Sequence, residues 1–253
     1  MDNEFQTIRA IEEVAADAVP PAVVERLGGW RLRFNHGVKR RPNSVLANSD
    51  DGKLSLTEKI EQVEAFYTRY GFGARYQLSP VSRPGDLEET LLGRGYTRVP
   101  ESVSVKTLEL ADLPATAHSV LSFTTQPTDT WLSLYCEIEG LSGAKREAFS
   151  EMVGRFPGRS CFALAHDQNE RAAAVGVGVL HGGFLGLFNI ATHPSARRQG
   201  LAVKVVAGLC GWAQNEGVHT AYLQVAGENS AAQALYERLG FRTRYEYFYL
   251  EQP

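Results

Sequence analysis

The segment Asn189-Ile190-Ala191-Thr192-His193-Pro194-Ser195-Ala196-Arg197-Arg198-Gln199-Gly200-Leu201-Ala202 constrains this chain more than any other. It reads as the end of an apolar strand, a short turn, and a helix that runs from about residue 195 to about residue 216. A helix start presents unpaired backbone N–H groups and the positive end of the helix dipole. Gly200 lets a bulky anion approach that backbone, and Arg197 and Arg198 add positive charge. The segment therefore predicts a cradle for phosphate or pyrophosphate. Neither a Gly-x-x-x-x-Gly-Lys-Ser/Thr loop nor a Gly-x-Gly-x-x-Gly turn occurs, so a nucleoside triphosphate or a nicotinamide dinucleotide has no motif here.

A second ordered motif follows at residues 229–241, Asn-Ser-Ala-Ala-Gln-Ala-Leu-Tyr-Glu-Arg-Leu-Gly-Phe. Asn229 stands where a helix N-cap belongs. Tyr236 lies seven residues on, about two turns at 3.6 residues per turn, which predicts that Asn229 and Tyr236 share one helix face. Arg197-x-x-Gly200-x-Ala202 after an apolar strand, followed by Asn229-x-x-Ala232-x-x-Leu235-Tyr236-x-x-x-Gly240-Phe241, resembles the paired motifs of the GCN5-related N-acetyltransferases. The resemblance covers roughly residues 125–253.

That resemblance implies acetyl-CoA as cosubstrate and an amine as acceptor. Main-chain groups of Ile190, Ala191 and Thr192 would pair with the pantetheine amides. The loop Arg197, Arg198, Gln199, Gly200, Leu201 and Ala202 would hold the pyrophosphate, with Asn229 beside it. Tyr236 would be the general acid that protonates the departing CoA thiolate, since a tyrosine pKa of about 10 keeps it protonated at neutral pH. The reaction would be direct attack of a neutral amine on the thioester, with main-chain N–H groups near residues 190–192 stabilising the oxyanion. The base stays open between Glu137, Glu139, Glu228 and a chain of waters. No metal is implied. Cys136, Cys161 and Cys210 are isolated, with neither a C-x-x-C pair nor a histidine signature for covalent catalysis. His193 before Pro194 reads as turn architecture, and His181 as part of a Gly-rich hairpin.

The first half reads as a helix over residues 7–18, a short helix over 22–27, and a strand over 30–34. A hairpin at Asn35-His36-Gly37 leads to a return strand over 38–47. A helix over 57–70, a strand over 74–78, a helix over 86–94 and a strand over 96–108 follow. Residues 65–76 and 234–245 share Ala, Tyr, Arg, Gly-Phe and a closing Arg-x-Tyr at one constant offset, and residues 92–98 echo the same ending. A helix that ends on glycine is common in itself, so duplication and coincidence both remain available. The position matching Asn229 is Ile60, and residues 48–55 carry no anion loop. Residues 30–44, ending in Arg41-Pro42-Asn43-Ser44, resemble the amino-terminal half of certain tandem bacterial acetyltransferases.

The expectation is an α/β fold (an α+β mixed sheet) of tandem acetyltransferase-like domains, each a twisted, mostly antiparallel sheet flanked by helices. Residues 1–112 would be a degenerate domain without a cofactor loop, 113–128 a junction, and 129–253 the catalytic domain, in the order βββ-α-β-α-β. With 253 residues and a net charge of −3, electrostatics give no case for nucleic acid as the main partner. No apolar run approaches the ~20 residues of a membrane span. The acidic first residues do not form a signal peptide, and the unpaired cysteines fit a reducing cytoplasm. The readings that compete are a catalytically silent acyl-CoA sensor, a scaffold, and a tandem synthase that acetylates an amino-sugar conjugate. Neither the acceptor nor the oligomeric state is legible.

Overall fold

A computed structural model describes residues 3–114 and 121–253. It resolves into two compact units, residues 1–104 with 226–228 and 244–253, and residues 105–225 with 229–243. In chain order the first unit carries α1 (Asn3–Ala18), β1 (Val23–Leu27), β2 (Trp30–Phe34), β3 (Val45–Leu46), α2 (Leu56–Thr68), β4 (Arg75–Leu78), α3 (Leu87–Gly93) and β5 (Thr97–Arg98). The strand β6 (Val103–Glu109) crosses the boundary. The second unit carries β7 (Leu121–Thr124), α4 (Asp129–Ile138), α5 (Gly143–Gly154), β8 (Ser160–His166), β9 (Ala172–His181), β10 (Phe184–Thr192), α6 (Leu201–Asn215), β11 (Thr220–Ala226) and α7 (Ser230–Arg238). The last strand, β12 (Arg242–Glu251), crosses the boundary again. Each unit is a mixed, mainly antiparallel sheet with helices against it, which is the fold class the sequence predicts.

Five local expectations are corrected. Residues 22–27 are not a helix: β1 pairs with β2 through a two-residue Gly28-Gly29 turn with both φ positive, the hairpin geometry that glycine permits. The return strand over 38–47 shrinks to β3, because Asn43 pins the preceding loop. Its Oδ1 accepts from the N–H groups of Asn35 and Gly37, and its Nδ2 donates to the carbonyls of Val38 and Lys39. The strand over 96–108 is broken around Pro100, which lacks a ladder donor. The junction over 113–128 contains β7, while residues 115–120 of it lie outside the described residues. The helix expected from residue 195 begins only at Leu201, after a single 3-10 turn at Pro194–Ala196.

In the first unit, Trp30, Leu32, Phe34, Tyr76, Leu78 and Leu250 form one sheet face and the core beneath α2 and α3. The opposite face is polar, because alternate residues of a strand point to opposite sides. It presents Arg31, Arg33, Gln77 and Tyr245, and α1 covers it with carboxylates. Glu12 accepts from Gln77 Nε2 and from the Tyr245 hydroxyl, both at 2.6 Å. Arg31 pairs with Glu13 and Asp17. Arg33 donates to the Ser44 carbonyl and hydroxyl and to Gln77 Oε1. Among the described residues, all the buried polar and charged side chains except Lys106 and Ser160 belong to this unit.

The second unit has the strand order β6-β11-β10-β9-β8-β7, and its interior is apolar. The stripe Leu201, Val205, Leu209 of α6 lies in its core. Gly176 and Gly178 on β9 leave room for that helix: a Cβ on Gly176 would stand 2.6 Å from Val205 Cγ1. Each fully buried side chain of the stripe stabilises by roughly 1.5–3 kcal/mol.

Burial raises the pKa of Glu12 above the ordinary carboxylate value. The folded unit therefore binds this proton more tightly than the unfolded chain, and the associated stability is present at low pH and lost as pH rises through the folded pKa. Urea titrations of Glu12→Gln and the parent are expected to show a larger destabilisation at pH 5 than at pH 8.

Candidate functional site

The site starts from an interrupted strand pairing. β10 pairs in parallel with β11 from Phe184–Thr220 to Leu187–Leu223, and its register with β9 shifts between Phe188 and Ala191. The extra residue is Asn189, at φ 52, a left-handed conformation that asparagine tolerates better than most. Beyond this bulge Ala191 and Thr192 pair with Val175 and Ala174 of β9. The Nδ2 of Asn189 and the Oγ1 of Thr192 are buried without a hydrogen-bond partner.

The chain then turns at His193, whose Nδ1 accepts from the Ser195 N–H at 3.3 Å and lies 2.7 Å from the Ser195 hydroxyl. This capping role is the turn architecture read from the sequence. The His193 Nε2 lies 3.4 Å from Glu137 Oε1. Arg198 (φ 62) and Gly200 (φ 73) both take the left-handed conformation, which ends the turn and delivers Gly200 as N-cap of α6. No side chain caps this helix, and no acidic residue stands in its first turn. A Cβ on Gly200 would meet no protein atom within 4 Å. The glycine is therefore required by its backbone angle and by the open space above it, not by protein crowding.

These elements and α7 enclose a cleft of about 840 Å3. Ile190, Ala191, Thr192, Arg197, Arg198, Gly200, Leu201, Ala202 and Asn229 all line it. Asn229 also caps α7, its Oδ1 accepting from the Ala232 N–H at 3.1 Å. Gln199 faces a neighbouring cavity with His166, Asp167, Gln168, Leu201 and Lys204 instead. The cleft also takes in Glu139 and Arg238. The placement of Arg238 follows only from the face that α7 presents.

Tyr236 differs from its expected position. The cleft side of α7 is made by Ala231, Ala232, Leu235 and Arg238, a helical i, i+1, i+4, i+7 set. Asn229 is an N-cap with non-helical ψ of 68, so counting two turns from it does not bring Tyr236 to the same side. Tyr236 is 8% exposed and packs edge-on against Phe241. Burial pushes its hydroxyl pKa up to about 12, so it stays protonated throughout the neutral range. The cysteines are buried, with Cys161 pushed up to about 11 and Cys210 to about 12, far from the thiolate that covalent catalysis requires.

Residues 6–250 match the family described as "Probable histone acetyltransferase Rv0428c C-terminal". The chain is 30% identical over 247 residues to the uncharacterized N-acetyltransferase YobR of Bacillus subtilis, covering 96% of this chain and 97% of that protein. Among solved structures, a GCN5-related N-acetyltransferase from Kribbella flavida superposes with a TM-score of 0.72 at 16% identity, over 97% of this chain and 95% of that one. A tandem GNAT protein from the clavulanic acid biosynthesis pathway gives a TM-score of 0.65 at 14% identity, over 99% and 95%.

Gly200→Asp tests the anion cradle directly. Aspartate accepts the left-handed angle at a cost of about 1–2 kcal/mol, so the protein is expected to fold. Its carboxylate over the helix start should weaken inorganic pyrophosphate binding by about ten-fold or more in calorimetry. Unchanged binding would overturn the cradle.

Proposed function

This chain belongs to the GCN5-related N-acetyltransferases and is an acyltransferase; from that premise we propose that it transfers an acetyl group from acetyl-CoA to a primary amine by direct attack on the thioester. One observation carries the reading. A strand that parts from its neighbour and an uncapped helix start with an open Gly200 line the same cleft.

The backbone of Ile190, Ala191 and Thr192 would pair with the pantetheine amides along β10. The N–H groups of the α6 start, with Arg197 and Arg198, would hold the pyrophosphate, for which a helix N-terminus supplies both donors and favourable field. Asn229 would border the same region. Main-chain N–H groups at the bulge would stabilise the oxyanion that forms on the thioester carbonyl. Tyr236 packs against Phe241 beside the cleft-lining face of α7; as the family resemblance implies, it would protonate the CoA thiolate, and its high pKa keeps the proton available. The first unit would be a tandem domain that has lost its site. The helix position matching Asn229 is Ile60, wholly buried in α2, and the tyrosine at the position of Tyr236 is Tyr67, whose hydroxyl donates to the Arg33 carbonyl.

The burial of Tyr236 favours a second reading, an acyl-CoA-binding sensor without turnover. Titration of acetyl-CoA with parallel turnover assays on an amine panel separates the two. Micromolar binding is expected, with Tyr236→Phe retaining it while kcat falls by about 100-fold or more. Binding with no turnover by the parent protein would support the sensor, and no binding would overturn both.

A further inference from the structure

The ring of His193 touches two elements that line the cleft. Thr192 before it and Ala196 after it belong to the turn that leads to α6, and both face the cleft. Ile138 and Glu139 bring the C-terminal end of α4 to the same space. Both ring nitrogens of His193 are engaged. Nδ1 accepts from the Ser195 N–H at 3.3 Å and lies 2.7 Å from the Ser195 hydroxyl, while Nε2 lies 3.4 Å from Glu137 Oε1. The backbone N–H of Ser195 brings its own proton, so Nδ1 carries none and the ring proton sits on Nε2, the nitrogen beside Glu137.

The main chain of His193 is held without Nε2. Its N–H donates to the Ala173 carbonyl at 2.8 Å, and its carbonyl accepts from the Ala196 N–H at 2.9 Å. On the other side, the early turns of α4 are anchored by Trp131, whose Nε1 donates to the Gly176 carbonyl at 3.1 Å and whose ring meets Tyr135 and Phe162. Glu137 stands in the last turn, which holds no basic residue. A carboxylate there opposes the helix dipole, so Glu137 gains nothing from its own helix, and the group it meets is His193.

We propose that His193 and Glu137 form a clasp that fixes the end of α4 to the turn before α6 and so slows the escape of bound acetyl-CoA. His193 is then a positioning residue, and the proposal rests on the acetyl-CoA reading above. The Glu137 side chain is 68% exposed, and exposed pairs contribute little, so an effect of about two- to five-fold in affinity is expected.

The test is a double-mutant cycle in the full chain, read as acetyl-CoA affinity and dissociation rate, with inorganic pyrophosphate affinity and thermal unfolding alongside. His193→Asn keeps a side-chain acceptor for the Ser195 N–H and removes the group that reaches Glu137. Glu137→Ala removes the other half. Each should raise the acetyl-CoA dissociation constant about two- to five-fold through faster dissociation, and the double variant should do no worse than either alone. Removing a carboxylate would by charge alone tighten an anionic ligand, so weaker binding by Glu137→Ala runs opposite to that effect. Glu137→Gln still accepts a hydrogen bond and should keep most of the parent affinity. Pyrophosphate reaches the cradle alone, so its affinity should hold in every variant, as should the melting temperature. Unchanged acetyl-CoA affinity in His193→Asn, or single effects that add in the double variant, overturns the clasp and leaves the acetyltransferase reading standing. Pyrophosphate affinity that falls in parallel overturns it too, because the damage would then lie in the turn itself. A parent protein that binds pyrophosphate but not acetyl-CoA removes the acetyl-CoA reading and the clasp together.

Discussion

The constraint on which the second unit depends is the divergence of β10 from β11 after Leu187. An edge of backbone opened in the middle of a sheet carries unpaired N–H and C=O groups, and such groups are costly unless something else meets them. Here the opening is built by one inserted residue. Asn189 in the left-handed conformation shifts the register against β9, yet Ala191 and Thr192 still pair on that side. The strand therefore stays anchored on one edge while its other edge borders the cleft. Farther along the same chain, Arg198 and Gly200 spend unfavourable or glycine-only backbone angles to bring an uncapped helix start to the same cleft. Both features place the demand on local backbone conformation.

The first unit handles the same kind of sheet in the opposite manner. Its second face is closed by α1 through Glu12, Glu13 and Asp17, and Arg33 is satisfied by Ser44 and Gln77 within the interior. A buried ionic network of this kind adds little net stability over an apolar one, but removing one partner leaves the others uncompensated. It fixes how α1 lies on the sheet. Helix α2 here is capped by its own Ser55–Glu58 box, and the Tyr67 hydroxyl donates to the Arg33 carbonyl.

The shared ending of α2 and α7, which suggests duplication in the sequence, has a simpler cause. Gly71 donates to Thr68 and Phe72 to Tyr67, just as Gly240 donates to Glu237 and Phe241 to Tyr236. The same pair of bonds closes α3 at Gly95 and Tyr96, α4 at Gly140 and Leu141, and α6 at Gly217 and Val218. This is the Schellman cap, in which a left-handed glycine satisfies the last carbonyls of a helix. A motif that recurs at five helix ends reports the chemistry of stopping a helix.

What was legible in the sequence was whatever the backbone encodes locally. The Arg197 to Ala202 loop and the Asn229 cap depend on glycine angles, charges and capping oxygens within a few residues of one another, and all but Gln199 line one cleft. The β1–β2 hairpin was misread: residues 22–27, read as a short helix, pair as a strand across the Gly28-Gly29 turn. The rest depended on long-range packing. Whether Tyr236 or Leu235 faces the cleft is a matter of about 100° of helix rotation, set by what Phe241 and the core accept rather than by spacing from a non-helical cap. The strand β12 passes from one unit into the other, a path that no stretch of its own sequence marks. The cleft itself joins one continuous run, from Ile190 to Val203, to α7 and to Ile138 and Glu139 at the end of α4, fifty residues before Asn189, and no local pattern announces that distant contribution.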